Sequence, residues 1–220
     1  MLISYTHRFL FVHIAKTGGT SIRTALRPYR WGWPYTPLLA FCSLISQSTR
    51  PKHALGIKFP RHAKAIAAME MLPRELFDGF FKFAVVRNPW DLQVSSFHHL
   101  KRERPHRFAH LETFEQFLHA KLDPEREYDY LLDISQERQW EYVCDFQGRQ
   151  IVDYIARYEC LAEDFAEICG HIGIAPPDLP HRRKAGGRRP YTDYYTPETR
   201  ELVARHYAED IQRFGYRFGA

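Results

Sequence analysis

Phe9-Leu10-Phe11-Val12-His13-Ile14 runs directly into Ala15-Lys16-Thr17-Gly18-Gly19-Thr20-Ser21, after which Ile22, Ala25 and Leu26 take up helical spacing. The first six residues read as a buried strand, the glycine pair cannot continue it, and the spaced apolar residues read as a helix. The stretch therefore predicts strand, glycine turn, helix. In such a turn Gly18 and Gly19 carry no side chains, so successive backbone N–H groups can close around phosphate oxygens while the helix presents its positive end. Lys16 adds a mobile charge, and Thr17, Thr20 and Ser21 add hydroxyl donors. A tight turn without a ligand is the structural alternative. The order of residues narrows the choice. A Walker A loop ends Gly-Lys-Ser/Thr, whereas here the lysine precedes the glycines, which disfavours an ordinary ATP or GTP loop.

The pattern recurs. Phe81-Lys82-Phe83-Ala84-Val85-Val86 is a second short apolar run, ended by Arg87-Asn88-Pro89, and the helix that follows carries Trp90, Leu92 and Ser95. Asn88 suits the N-cap and Pro89 the first helical position. Arg87 at a strand end and Ser95 two turns into the helix offer a guanidinium and a hydroxyl to a separate phosphate. Each alone also has a structural reading, Arg87 as an ion pair and Ser95 as a hydroxyl bonded within its own helix. Together with the first loop they suggest a nucleotide with phosphate at two positions.

Residues 31–60, rich in Pro, aromatic and small polar residues, read as irregular. Helices are predicted over 62–72 and 113–121, a late strand over 151–157, and a helix over 161–172 stopped by Gly173. A Pro, Gly and Arg loop covers 175–190. A last helix then starts at Thr196-Pro197, with Val203, Tyr207, Ile211 and Phe214 on one face. Strands alternating with helices predict an α/β fold of three layers, with a central, mainly parallel sheet and ligands at the carboxyl ends of its strands. At 220 residues the chain is expected to form a single domain over 1–220.

The 31 Lys and Arg against 26 Asp and Glu favour anionic partners without identifying them. They crowd in 101–107 and in Arg182, Arg183, Lys184, Arg188 and Arg189, as solvated surface or as a seat for an acidic substrate. No nucleic-acid motif accompanies them, and no nucleic-acid partner is expected. Cys42, Cys144, Cys160 and Cys169 lack Cys-x-x-Cys spacing, and His98, His99, His106 and His110 crowd together without a ligand pattern, so no metal site is expected. No apolar run approaches the ~20 residues of a membrane span, and the first 13 residues lack a signal-peptide core, which predicts a cytoplasmic protein.

The quoted motifs resemble those of a known family. His13-Ile14-Ala15-Lys16-Thr17-Gly18-Gly19-Thr20-Ser21 is similar to the 5′-phosphosulfate loop of the sulfotransferases that use 3′-phosphoadenosine 5′-phosphosulfate (PAPS), and residues 81–91 with Ser95 resemble their 3′-phosphate motif. Arg157-Tyr158-Glu159-Cys160-Leu161 resembles the segment near the adenine, and Tyr191, Tyr194, Tyr195, Thr196 and Pro197 through Asp210, Ile211, Phe214, Gly215 and Tyr216 resemble the end of the carbohydrate-type branch.

The resemblance implies a P-loop-containing nucleotide hydrolase-like fold and transfer of a sulfuryl group from PAPS to an acceptor hydroxyl, which the likeness to the carbohydrate-type branch makes that of a saccharide, releasing 3′-phosphoadenosine 5′-phosphate (PAP). It further implies that Lys16, Thr17, Gly18, Gly19, Thr20 and Ser21 hold the 5′-phosphosulfate, Arg87 and Ser95 the 3′-phosphate, and Tyr158 the adenine, with one basic residue of 182–189 also on the nucleotide. Lys16 would stabilise the leaving phosphate. Sulfuryl transfer rests on positioning and electrostatics, and the acceptor hydroxyl needs a base. His62 is the candidate, placed where similar carbohydrate sulfotransferases carry a histidine at a helix start; His53 is the second choice. Trp31, Trp33 and Tyr35 are candidates for sugar stacking or for a core. Two other readings stay open: a nucleotide kinase or NTPase needing magnesium, and a nucleotide- or glycan-binding module without turnover.

Overall fold

The computed structural model describes residues 1–30, 41, 59–179 and 189–220. Trp31, Trp33, Tyr35, His53, Arg182, Arg183, Lys184 and Arg188 lie outside the described residues, as does nearly all of the stretch expected to be irregular. In chain order the elements are β1 (Leu2–Ser4), β2 (Phe9–Val12), α1 (Gly19–Ala25), α2 (Ala65–Met71), α3 (Arg74–Gly79), β3 (Phe81–Val86), α4 (Pro89–Glu103), α5 (Phe114–Leu122), α6 (Tyr130–Asp133), β4 (Tyr154–Arg157), α7 (Leu161–His171), α8 (Pro197–His206) and α9 (Ala208–Phe214). They pack as two compact units: Met1–Ile14, Gly18–Val86 and Glu141–Arg182 in the first; Ala15–Thr17, Arg87–Trp140 and Arg183–Ala220 in the second.

The first unit holds the sheet, in the order β1-β2-β3-β4. β2, β3 and β4 run parallel, and the short β1 lies antiparallel on β2. The period of two sorts the side chains. Phe9, Phe11, Phe83 and Val85 face Ile22, Ala25 and Leu26 on one side, with Phe165, Ile168 and Cys169 of α7. Leu10 faces the other way, toward Ala68, Leu72, Phe77 and Phe80 around α2 and α3. Helices thus cover both faces, which is the three-layer α/β arrangement. Lys82 is a lysine inside an apolar strand, and its ammonium reaches the carbonyls of Phe80 (2.7 Å) and Phe77 (3.2 Å) and the Asp153 carboxylate (2.9 Å). These acceptors lie at the end of α3 and beside β4, so the buried charge is matched.

The second unit is helical. Trp90 and Val94 of α4, Phe117 and Leu118 of α5, and Val203 and Tyr207 at α8 form its core. α5 starts on a capping box, Thr113 accepting from the Gln116 amide and Gln116 from the Thr113 amide. Asn88 caps α4 by accepting from the Trp90 amide (3.1 Å), and Pro89 fills its first position.

Several boundaries differ from the sequence reading, and β2 ends at Val12 rather than at Ile14. β1 was too short to stand out as a strand. The helix expected over 62–72 begins only at Ala65, because Lys64 is extended (φ −74°, ψ 153°), so His62 sits in the preceding turn. β4 starts at Tyr154 rather than at residue 151. The last helix divides at Tyr207 (φ −105°, ψ 24°) into α8 and α9. Tyr207 is fully buried, and its hydroxyl is tied to the Gln136 carbonyl (2.9 Å) and the Gln93 amide (2.8 Å). A buried hydroxyl must find such partners, and holding them fixes the residue where the helix yields.

Candidate active site

The predicted site residues fall in both units. In the first unit, Gly18 adopts the left-handed conformation (φ 81°), which favours glycine, and a Cβ there would meet the Tyr158 and Leu161 side chains, each at 3.0 Å. Tyr158, just after β4, therefore lies over the glycine turn. Gly19 is needed for a different reason, since its Cβ would lie 2.1 Å from His13 Cδ2 and 2.2 Å from Nε2. The Ser21 amide donates to the Gly18 carbonyl (3.0 Å), closing the turn, and Thr20 and Ser21 are half-buried beyond it.

His62 is joined to His13. Its Nδ1 is 2.9 Å from the His13 carbonyl, and the two rings lie 4.6 Å apart. A carbonyl only accepts, so Nδ1 carries the proton and the lone pair sits on Nε2, the state a general base requires. Burial draws the His62 pKa down to about 4, against the raising effect of that hydrogen bond. His62 is therefore neutral at pH 7.

In the second unit, Lys16 and Arg87 are in contact. The Arg87 Nη1 donates to the Lys16 carbonyl (2.9 Å), while Nε and Nη2 hold the Asp91 carboxylate at 2.7 and 2.6 Å. Lys16 is a non-glycine residue at φ 67°, a sparsely populated conformation, and the guanidinium on its carbonyl helps to hold it there. Thr17 is fully buried. Asp91 and Ser95 are four residues apart on α4, so Ser95 lies one turn beyond the carboxylate that orients Arg87.

The Arg87 backbone is held as firmly as its side chain. The Gln139 side chain accepts from the Arg87 amide and donates to its carbonyl, both at 2.8 Å. Buried Asp210 then accepts from the amides of Gln139 (2.9 Å) and Trp140 (2.8 Å). Tyr195 donates to the Trp90 carbonyl (2.8 Å) and Tyr191 accepts from Asn88 (3.3 Å), so the carboxyl-terminal tyrosines support the start of α4.

Some partners were missed in the sequence. Gln139 gave no signal, but Asp210 and Lys121 did: each is a charge on the apolar face of its helix. Lys121 is fully buried, its ammonium bonded to Gln93 Oε1 (2.7 Å), the Ser135 carbonyl (2.9 Å) and the hydroxyls of Ser135 (3.0 Å) and Ser96 (3.3 Å). Burial, reinforced by the charges of Arg126 and Lys16, holds its pKa well below the ordinary lysine value. The run 101–107 is used structurally in part, Arg107 pairing with Asp129 and Lys101 lying over Phe97. Arg189 lies over the Tyr194 ring at 5.1 Å. Among the described residues no three His, Cys, Asp or Glu side chains are grouped to hold a metal, and no helix is long and apolar enough to cross a membrane.

Comparisons with known proteins bear on the family and the fold. No curated protein matches the chain. The crystal structure of a sulfotransferase from Alicyclobacillus acidocaldarius shares its fold with a TM-score of 0.51, at 17% identity over 94% of this chain and 93% of that one. The Sulfotransferase family matches residues 1–217, almost the entire length and every motif described above. With a glycine turn after β2, an arginine after β3 and a tyrosine after β4 all inside that match, the chain belongs to the Sulfotransferase family, and it is an enzyme of that family.

Proposed function

We propose that the protein moves the sulfuryl group of PAPS to a hydroxyl of a saccharide acceptor in the cytoplasm. In this reading residues 16–21 hold the 5′-phosphosulfate, Arg87 and Ser95 the 3′-phosphate, and Tyr158 the adenine. The observation that carries it is the 2.9 Å contact of the Arg87 guanidinium with the Lys16 carbonyl, which ties the residue assigned to one phosphate to the residue assigned to the other. The donor set also fits the group chemically: a left-handed glycine and a glycine that excludes any side chain keep the turn's backbone free of side chains of its own at two successive positions, and Tyr158 supplies an aromatic ring beside them.

Bound PAPS would supply an activated sulfuryl group with a bisphosphorylated nucleotide as leaving group. The chain's part is electrostatic and positional. Lys16 balances the charge that grows on the departing phosphate, Thr20 and Ser21 orient it, and Nε2 of His62 takes the acceptor proton. The saccharide acceptor is supported by the resemblance of residues 191–216 to the carbohydrate-type branch.

Calorimetry with PAP and with ATP, on the wild type and on Lys16→Ala and Arg87→Ala, tests the donor. PAP should bind without magnesium and lose at least about tenfold in affinity in both variants, each of which removes a charged hydrogen-bonding partner. Tight ATP binding that is indifferent to Arg87→Ala would overturn the reading in favour of an NTPase.

A further inference from the structure

His13 is the one polar member of the glycine-turn motif that the reaction described above leaves without a chemical task. It follows β2 at 3% exposure, stacked at 5.5 Å on Phe11 and at 4.6 Å against His62. A phenylalanine would satisfy that packing equally well. An imidazole there is costly, because its Nδ1 is buried without a hydrogen-bond partner. Its other edge, Cδ2 and Nε2, occupies the space where a Gly19 side chain would begin.

The two nitrogens are therefore unequal. A buried N–H without an acceptor is rarer and more costly than a bare lone pair, so the proton belongs on Nε2, and Nδ1 is left as the lone pair. Burial, together with the neighbouring His62, holds the pKa well below the ordinary histidine value, so the ring stays neutral at pH 7 with its single N–H at the glycine turn. The glycine is required because this ring edge comes so close.

We propose that His13 is a donor-binding residue, presenting Nε2–H beside Gly19 to the anionic 5′ end of the nucleotide and so adding one side-chain hydrogen bond to those of the turn's amides. This rests on the donor reading proposed above. His13 thus has two separate functions: its carbonyl sets the tautomer of His62 and its side chain contacts the donor.

The test uses two ligands that differ only in the 5′ group, adenosine 3′,5′-bisphosphate and adenosine 3′-monophosphate, and two variants, His13→Phe and His13→Gln. Calorimetry should show His13→Phe weakening the bisphosphate about tenfold or more, as expected for one hydrogen bond to a charged group, and leaving the monophosphate unchanged. His13→Gln, which retains an N–H, should recover part of the loss. In the wild type, nitrogen-15 spectra should show the Nε2–H tautomer, with the His13 signal shifting on bisphosphate but not on monophosphate addition. Equal weakening of both ligands, or of neither, overturns the proposal, and should His13→Phe fail to fold, an unmoved wild-type His13 signal on bisphosphate addition overturns it alone. If the wild type binds neither nucleotide, it is the donor reading that fails.

Discussion

A methyl group at residue 19 would lie 2.1 Å from the His13 ring, closer than any real contact, so either the imidazole or the turn must move. Gly19→Ala should therefore lower both the melting temperature and the affinity for adenosine 3′,5′-bisphosphate, the latter by about tenfold or more if the turn's hydrogen bonds to the anion are lost. Gly170 in α7 is the control: a Cβ there meets nothing within 4 Å, and Gly170→Ala should stabilise the fold by about 0.5–1 kcal/mol in chemical denaturation. His62 makes a second prediction at this scale. An ordinary histidine base would lose activity below pH 6.5, but with a pKa of about 4 the acid limb of kcat/KM should fall near pH 4, and a limb near 6.5 would exclude His62 as the base. The glycine turn after β2 and the arginine after β3 were legible in the sequence, since turn chemistry and strand ends are local, whereas His62 rests on the resemblance to the family. The hydrogen bond that sets the His62 tautomer joins residues 49 apart, and no spacing rule reaches that far.

At the scale of elements, α4 is aligned from outside itself. Gln139 and Asp210 together position the backbone at Arg87, and Asp210 belongs to α9, a helix that the hydrophobic pattern merged with α8. Asp210→Asn keeps one acceptor oxygen but sets an amide donor against one of the two backbone N–H groups, and should cost about 2 kcal/mol in denaturant unfolding while also weakening PAP binding. Thr113→Ala removes the cap of α5 and should cost about 1 kcal/mol with no effect on PAP affinity, which separates a general loss of stability from a loss of Arg87 alignment. β2, β3, α4 and α5 were readable because each has a strong period or a cap in its own residues. The break at Tyr207 was not, because the apolar period continues through it and only the tertiary partners of the hydroxyl reveal it.

For the whole molecule, two neutral histidines impose a pH dependence. Both His13 and His62 have pKa values lowered on folding, so the unfolded chain binds more protons than the folded one as pH falls below 6.5. Stability should be fully present above pH 6.5 and decline through the window from 6.5 to about 4, and His62→Gln should flatten that decline in a melting-temperature series. Charge is also unevenly distributed along the chain. Residues 1–69 contain ten Lys and Arg and no Asp or Glu, while the remaining residues carry 21 and 26. Binding of a bisphosphate to such a chain should weaken steadily as salt is raised, which a titration from low to physiological ionic strength would measure. Lys121 has a practical use of its own. Enclosed by Gln93, Ser96 and Ser135, its amine is hidden from acylating reagents until the helices around it part. The rate at which mass spectrometry finds this one lysine modified is thus a built-in clock for the opening of the helical unit, running beside the faster labelling of lysines at the surface.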